Sequence, residues 1–192
     1  MQLQSLSKGL WPVMLTPFSS NNKVDLKGLK ELTEFYIQSG ASGLFANCLS
    51  SEMFQLTESE RLQIISTVVK IASKYRLDVA ATGTFSTDMT ESADFIKKVF
   101  AMGVAAVVII SNQLGRIEDD ETVVKKNLEK LIKHTKNIPL GIYECPYPYK
   151  RLVSPSLIKW MEQTQVFYYM KDTSCNPLAI EKKVAAIKDT KF

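Results

Sequence analysis

A lysine closes one of the more apolar stretches of the chain, Phe167-Tyr168-Tyr169-Met170-Lys171, and is followed by Asp172-Thr173-Ser174. An ammonium in such surroundings is costly to desolvate unless it is paired or gives up its proton. In general, a lysine held in a low-dielectric pocket has its pKa pushed down, and the free amine is a nucleophile toward a carbonyl. Tyr143 ends another apolar run, Pro139-Leu140-Gly141-Ile142-Tyr143, where a phenol could carry a proton to and from a carbinolamine. Plainer readings stand beside these: Lys171 reaching solvent, and Tyr143 as a core aromatic with a satisfied hydroxyl. Residue type alone leaves both pairs of readings open.

Other candidate chemistry is thinner. Cys48, Cys145 and Cys175 all fall near the ends of apolar runs, which admits a shared thiol or soft-metal pocket. The one histidine, His134, sits beside Lys133 and Lys136 where a helix should end, and there a cation suits the helix dipole. No histidine is therefore at hand to activate a thiol or complete a metal site, and the cysteines read as small, partly buried residues. The 24 basic and 20 acidic residues leave a net charge of +4 and alternate along the chain. Lys125-Lys126 and Lys182-Lys183 read as solvated helix faces, and no basic run with interleaved aromatics marks a nucleic-acid partner. No apolar run approaches the roughly 18 residues that span a bilayer, and the first residues carry neither a charged leader nor an apolar core, so a cytoplasmic location without membrane contact is expected.

The elements that must position Lys171 and Tyr143 follow from the apolar pattern. Short runs at residues 10–16, 43–48, 78–83, 105–110, 139–143 and 167–171 read as strands too apolar to alternate, as when both faces are buried. Between them lie segments of helical period, with apolar faces such as Leu62, Ile65, Val69 and Ala72, or Val124, Leu128 and Leu131. Thr57-Glu58-Ser59-Glu60 is a capping box, and Ser154-Pro155 and Asn176-Pro177 each put a capping side chain before a proline. Gly40 and Gly103 stand where helices should stop. This is a single domain, residues 1–192, of alternating strand and helix with a parallel sheet. The pattern admits an open doubly wound sheet or most of an eight-fold barrel. In the first case a glycine-rich phosphate loop should follow the first strand, and Thr16-Pro17-Phe18-Ser19-Ser20 has none. Either architecture puts function at the carboxyl ends of the strands, where Lys171 and Tyr143 both lie.

Six segments then agree, in order and spacing, with one family. Gly9 to Phe18 reads Gly-x-x-Pro-x-x-x-Thr-Pro-Phe, Asp25 opens the first helix, and Gly40-Ala41-Ser42-Gly43-Leu44 follows. Ser51 to Arg61 gives Ser-Glu-x-x-x-Leu-Thr-x-x-Glu-Arg, Tyr143 to Pro146 gives Tyr-x-x-Pro, and Met170 to Ser174 gives Met-Lys-Asp-Thr-Ser. Together they resemble the dihydrodipicolinate synthase and N-acetylneuraminate lyase family of pyruvate-dependent aldolases. The resemblance implies a parallel (β/α)8 TIM barrel and a Schiff base between Lys171 and pyruvate or a related 2-oxo acid. It also implies proton transfer by Tyr143 and a substrate carboxylate held at Ser50 and Ser51. It calls for no metal and no cofactor, and it makes a homo-oligomer the expectation if the barrel is complete.

The departures from the family are as informative. Its Gly-Thr-Thr-Gly-Glu loop is here Cys48-Leu49-Ser50-Ser51-Glu52, without either glycine. Ser111-Asn112-Gln113-Leu114 stands where the synthases carry an aromatic segment with a relay tyrosine, and Glu144 replaces a common asparagine. The spacing of the synthases' second carboxylate-binding arginine falls on Pro148, with Lys150 and Arg151 close by as substitutes. These changes argue against a true dihydrodipicolinate synthase and for a lyase or aldolase acting on another 2-oxo acid, such as a sugar acid. The rival expectation is a barrel fragment that binds a 2-oxo acid without turnover. Since such barrels need about 250 residues, about six βα units are expected here, in a gene fragment rather than a natural short form.

Overall fold

The computed structural model describes residues 5–187, which fall into two compact units. One consists of residues 6–82 and 98–105, the other of residues 83–97 and those from 106 onward. The first unit carries helix α1 (Leu26–Gln38), strand β1 (Gly43–Ala46), helix α2 (Glu58–Ala72) and strand β2 (Asp78–Thr82). Helix α3 (Met89–Ala101) leads on to β3 (Ala106–Ile110), α4 (Glu121–Thr135), β4 (Leu140–Tyr143), α5 (Pro155–Gln163), β5 (Phe167–Lys171) and α6 (Pro177–Ala186). Among the described residues no helix is long and apolar enough to cross a membrane.

Local chemistry accounts for the helix starts. Asp25 Oδ1 accepts from the Lys27 and Gly28 amides, both at 3.0 Å, and so satisfies free donors at the head of α1. Thr57 and Glu60 form the reciprocal capping box of α2. Ser154 and Asn176 cap α5 and α6, each with proline at the first helical position. Gly40 and Gly103 have φ of +87° and +94°, a left-handed conformation that glycine adopts without strain.

Within the first unit β1 and β2 are parallel, with Gly43 opposite Asp78 and Ala46 opposite Ala81. Within the second, β3, β4 and β5 are parallel and adjacent. The strands β1, β3 and β4 are buried along their whole length, which explains why their sequences do not alternate. The expected strand at residues 10–16 is not formed as such: it survives as a single bridge between Val13 and Phe45. Leu10 O and Pro12 O accept from Ser42 N and Phe45 N, and Met14 N donates to Phe45 O. Pro12 has no N–H to return, so the ladder breaks at its middle. Among the described residues, five regular strands therefore stand where six were expected. The buried face of α2 is also broader than the expected stripe, consisting of Ile64, Ile65, Val68, Ile71 and Ala72, with Leu62 and Val69 at its flanks.

Candidate active site

The two residues singled out by type are brought together by register. Tyr143 is the last residue of β4 and Lys171 the last of β5, and the two are direct cross-strand partners. Tyr143 is buried and Lys171 half-buried. The Lys171 Nζ lies over the Tyr143 ring, 4.5 Å from its centroid, within cation–π range.

That pairing depends on a bulge. Leu140 lies opposite Phe167, yet Gly141 lies opposite Tyr169, so Tyr168 is an extra residue in β5. A straight ladder from Leu140 and Phe167 would set Met170 opposite Tyr143, and the inserted residue advances Lys171 to that place. Gly141 admits the close approach: a Cβ there would stand 2.9 Å from Tyr169 Cβ and 3.0 Å from Tyr169 O.

Beyond the strand ends lies a buried ionic cluster. The Glu144 carboxylate, wholly buried, accepts the Val153 amide at 2.7 Å on Oε1 and the Thr173 amide at 3.0 Å on Oε2. Its main chain is engaged as well, since Glu144 N donates to Lys171 O at 3.1 Å and Glu144 O accepts the Thr173 hydroxyl at 2.5 Å. From α6, the buried ammonium of Lys183 donates to Glu144 Oε1 and, at 2.5 Å, to Asp172 Oδ2. Ser174 donates its amide and hydroxyl to Asp172 Oδ1, at 2.7 and 2.6 Å. Burial is the largest single influence on Asp172 and raises its pKa. The hydrogen bonds from Lys183 and Ser174, with the Lys183 charge, outweigh it and hold the carboxyl below its ordinary value.

The expectation for Lys182-Lys183 is thus half corrected: Lys182 is exposed, but Lys183 is 5% exposed and ion-paired. A carboxylate placed after a fully buried strand needs a cation to remain charged there. Glu144 was the signal in the sequence that one had to come from somewhere. In α4, Lys125 lies against Trp160, 5.1 Å from the ring centroid.

The loop carrying Ser50 and Ser51 belongs to the first unit. Ser50 is exposed. Ser51 is buried, donating its hydroxyl to Met14 O at 2.6 Å and accepting the Cys48 amide at 3.0 Å, while Thr16 Oγ1 donates to Ser51 O at 2.8 Å. Left-handed conformations fall on Asn47 and Glu52, with φ of 51° and 56°, and not on Cys48 or Ser51. The two positions that lack the family's glycines therefore do not need glycine's freedom here.

In the second unit Asn112 clamps the segment after β4, its Nδ2 facing the carbonyls of Cys145, Tyr147 and Tyr149 at 2.7 to 2.8 Å. The Tyr149 hydroxyl returns a bond to Asn112 O at 2.9 Å. The substitute cations are engaged by main chain: Arg151 donates to Asp119 O and Arg116 O, and Lys150 to Thr173 O at 2.8 Å. Among the described residues no cluster of His, Cys, Asp and Glu has the makings of a metal site. Cys48 and Cys145 are buried and Cys175 exposed, and none of the three is in a disulfide.

The dihydrodipicolinate synthetase family model matches residues 6–191. The chain belongs to this family. A family member, the 4-hydroxy-tetrahydrodipicolinate synthase of Staphylococcus haemolyticus (strain JCSC1435), is 25% identical over 175 residues, covering 88% of this chain and 55% of that protein. Among solved structures, the Ruminococcus gnavus sialic acid aldolase catalytic lysine mutant superposes with a TM-score of 0.84 at 18% identity, over 100% of this chain and 61% of that one. A prophage protein of the dihydrodipicolinic acid synthase family from E. coli K12, in complex with pyruvate, gives 0.81 at 20% identity, over 94% and 59%. The chain thus spans somewhat more than half the length of these family members.

Proposed function

We propose that the chain is a lysine Schiff-base lyase of the aldolase type, acting on pyruvate or a related 2-oxo acid. The observation that carries this reading is the register that seats Lys171 Nζ against the buried Tyr143 ring. The Lys171 amine adds to the C2 carbonyl, and Tyr143 passes the proton that lets water leave the carbinolamine. The resulting iminium is an electron sink: a carbon–carbon bond at C3 breaks to an enamine and an aldehyde, or forms in the reverse sense. Ser50 and the surrounding turn are the proposed hold on the substrate carboxylate. Family membership supports the lyase class, the named relatives being a synthase and an aldolase.

Dihydrodipicolinate synthase activity itself is disfavoured, because Asn112 stands within the synthases' aromatic segment and is engaged in holding the segment after β4. Lys150 and Arg151, the cations nearest the missing arginine, already donate to main-chain carbonyls. A sugar acid or similar 2-oxo acid is the better substrate class. The test is borohydride reduction in the presence of pyruvate, which should add a reduced pyruvyl mass to Lys171. A folded chain that gives no adduct at saturating pyruvate overturns the reading.

One observation favours a second reading, a 2-oxo acid binder without turnover. The Ser51 hydroxyl, one of the two expected at the substrate carboxylate, already donates to Met14 O. In that case calorimetry detects pyruvate while aldol cleavage stays at background across a panel of sugar acids.

A further inference from the structure

Three consecutive residues, Lys171, Asp172 and Thr173, are each held by Glu144 or Lys183. Glu144 N donates to Lys171 O, the Lys183 ammonium reaches the Asp172 carboxylate, and Glu144 takes both the amide and the hydroxyl of Thr173. Lys183 also binds Glu144 itself, so the two form one buried unit joining β4, α6 and the segment after β5. We infer that Glu144 and Lys183 are positioning residues for Lys171, an ion pair that fixes the main chain on both sides of the nucleophile; the inference rests on the Schiff-base reading above.

Neither residue needs to touch the substrate for this. Lys171 is carried on a bulged strand, and a bulge leaves local slack in the ladder. The clasp removes that slack two residues beyond the bulged pairing of Gly141 with Tyr169, at the position where Nζ must meet a carbonyl carbon within a narrow range of distance and angle. Asymmetry between the pair follows from charge. Without Lys183, two carboxylates, Glu144 and Asp172, are left sharing a buried pocket with no cation; without Glu144, an ammonium is left buried against Asp172 alone. Removing both charges ends the clash of two unpaired carboxylates but still leaves Asp172 without its cation, so the double variant is compared only where it folds.

The test measures the rate of pyruvate trapping at Lys171 as a function of pyruvate concentration, for the full chain, Lys183→Met, Glu144→Gln and the double variant. Circular dichroism at the assay temperature reports folding. For a positioning pair, each folded variant loses roughly 10- to 100-fold in the rate at saturating pyruvate, while the half-saturating concentration stays within about threefold. The double variant, where circular dichroism shows it folded, remains slow. A merely structural pair predicts that the double variant, once folded, traps at the parent's rate, and that result overturns the inference. So does a raised half-saturating concentration with an unchanged saturating rate. If the parent chain itself forms no adduct at Lys171, the Schiff-base reading fails and this inference falls with it. An adduct on the parent, with folded variants unaffected, removes this inference alone.

Discussion

At the scale of single residues, one amine, one phenol and one carboxylate decide how the site behaves. Lys171→Arg keeps a cation available for the Tyr143 ring but has no amine able to form an imine, so mass spectrometry after borohydride treatment should find no pyruvyl adduct. Tyr143→Phe keeps the ring and loses the phenol; trapping is expected to slow about 100-fold or more with little change in melting temperature. Asp172 yields a pH prediction whose sign is fixed by its surroundings. Its carboxyl is held below the ordinary value of 3.8, so its contribution to stability is present above that value and is lost as the pH falls through the depressed one. The melting-temperature gap between parent and Asp172→Asn should therefore be open at neutral pH and close in more acid solution. Lys171 and Tyr143 were legible in the sequence because an ionisable or phenolic group at the end of an apolar strand is conspicuous. Lys183 was not, because it stands beside the exposed Lys182 in a helix whose pattern is inverted. In α6 Leu178 and Val184 are 68% and 59% exposed while the lysine is buried, so a reading by polarity faces the wrong side.

At the scale of elements, β5 was legible to the residue, and β1 to β4 within one or two positions at their ends. Caps were equally plain, since a capping side chain and the amides it serves are close neighbours in sequence. What the pattern could not show was the bulge, because an inserted residue changes the partner strand's register without changing the composition of either strand. Nor could it show that Pro12 would reduce the first strand to one bridge, since the loss lies in a hydrogen bond and not in hydropathy. Two substitutions separate stability from site geometry. Thr57→Ala removes the α2 cap and should cost about 1 kcal/mol in chemical denaturation while leaving trapping at Lys171 unchanged. Gly141→Val forces a side chain against Tyr169, and a cost of about 1–3 kcal/mol is expected together with a slowed adduct, since β5 must move away from β4.

At the scale of the molecule, exposed apolar residues stand out. Leu152 and Leu178 line one groove, and both are about half exposed or more. Surface of this kind promotes association. Leu178→Lys with Val184→Gln should lower light scattering at high protein concentration without lowering the melting temperature. The ionic cluster adds a consequence for how the chain comes to be folded. The cation for Glu144 lies 39 residues downstream, so a ribosome exposes the carboxylate and its strand well before the ammonium that neutralises it. Until α6 arrives, β4 and β5 pair without the cation that Glu144 and Asp172 share, and the segment after Lys171 lacks its tie to Lys183. The ionic tie beside the nucleophile is therefore completed only after a helix that carries none of the chemistry has been made.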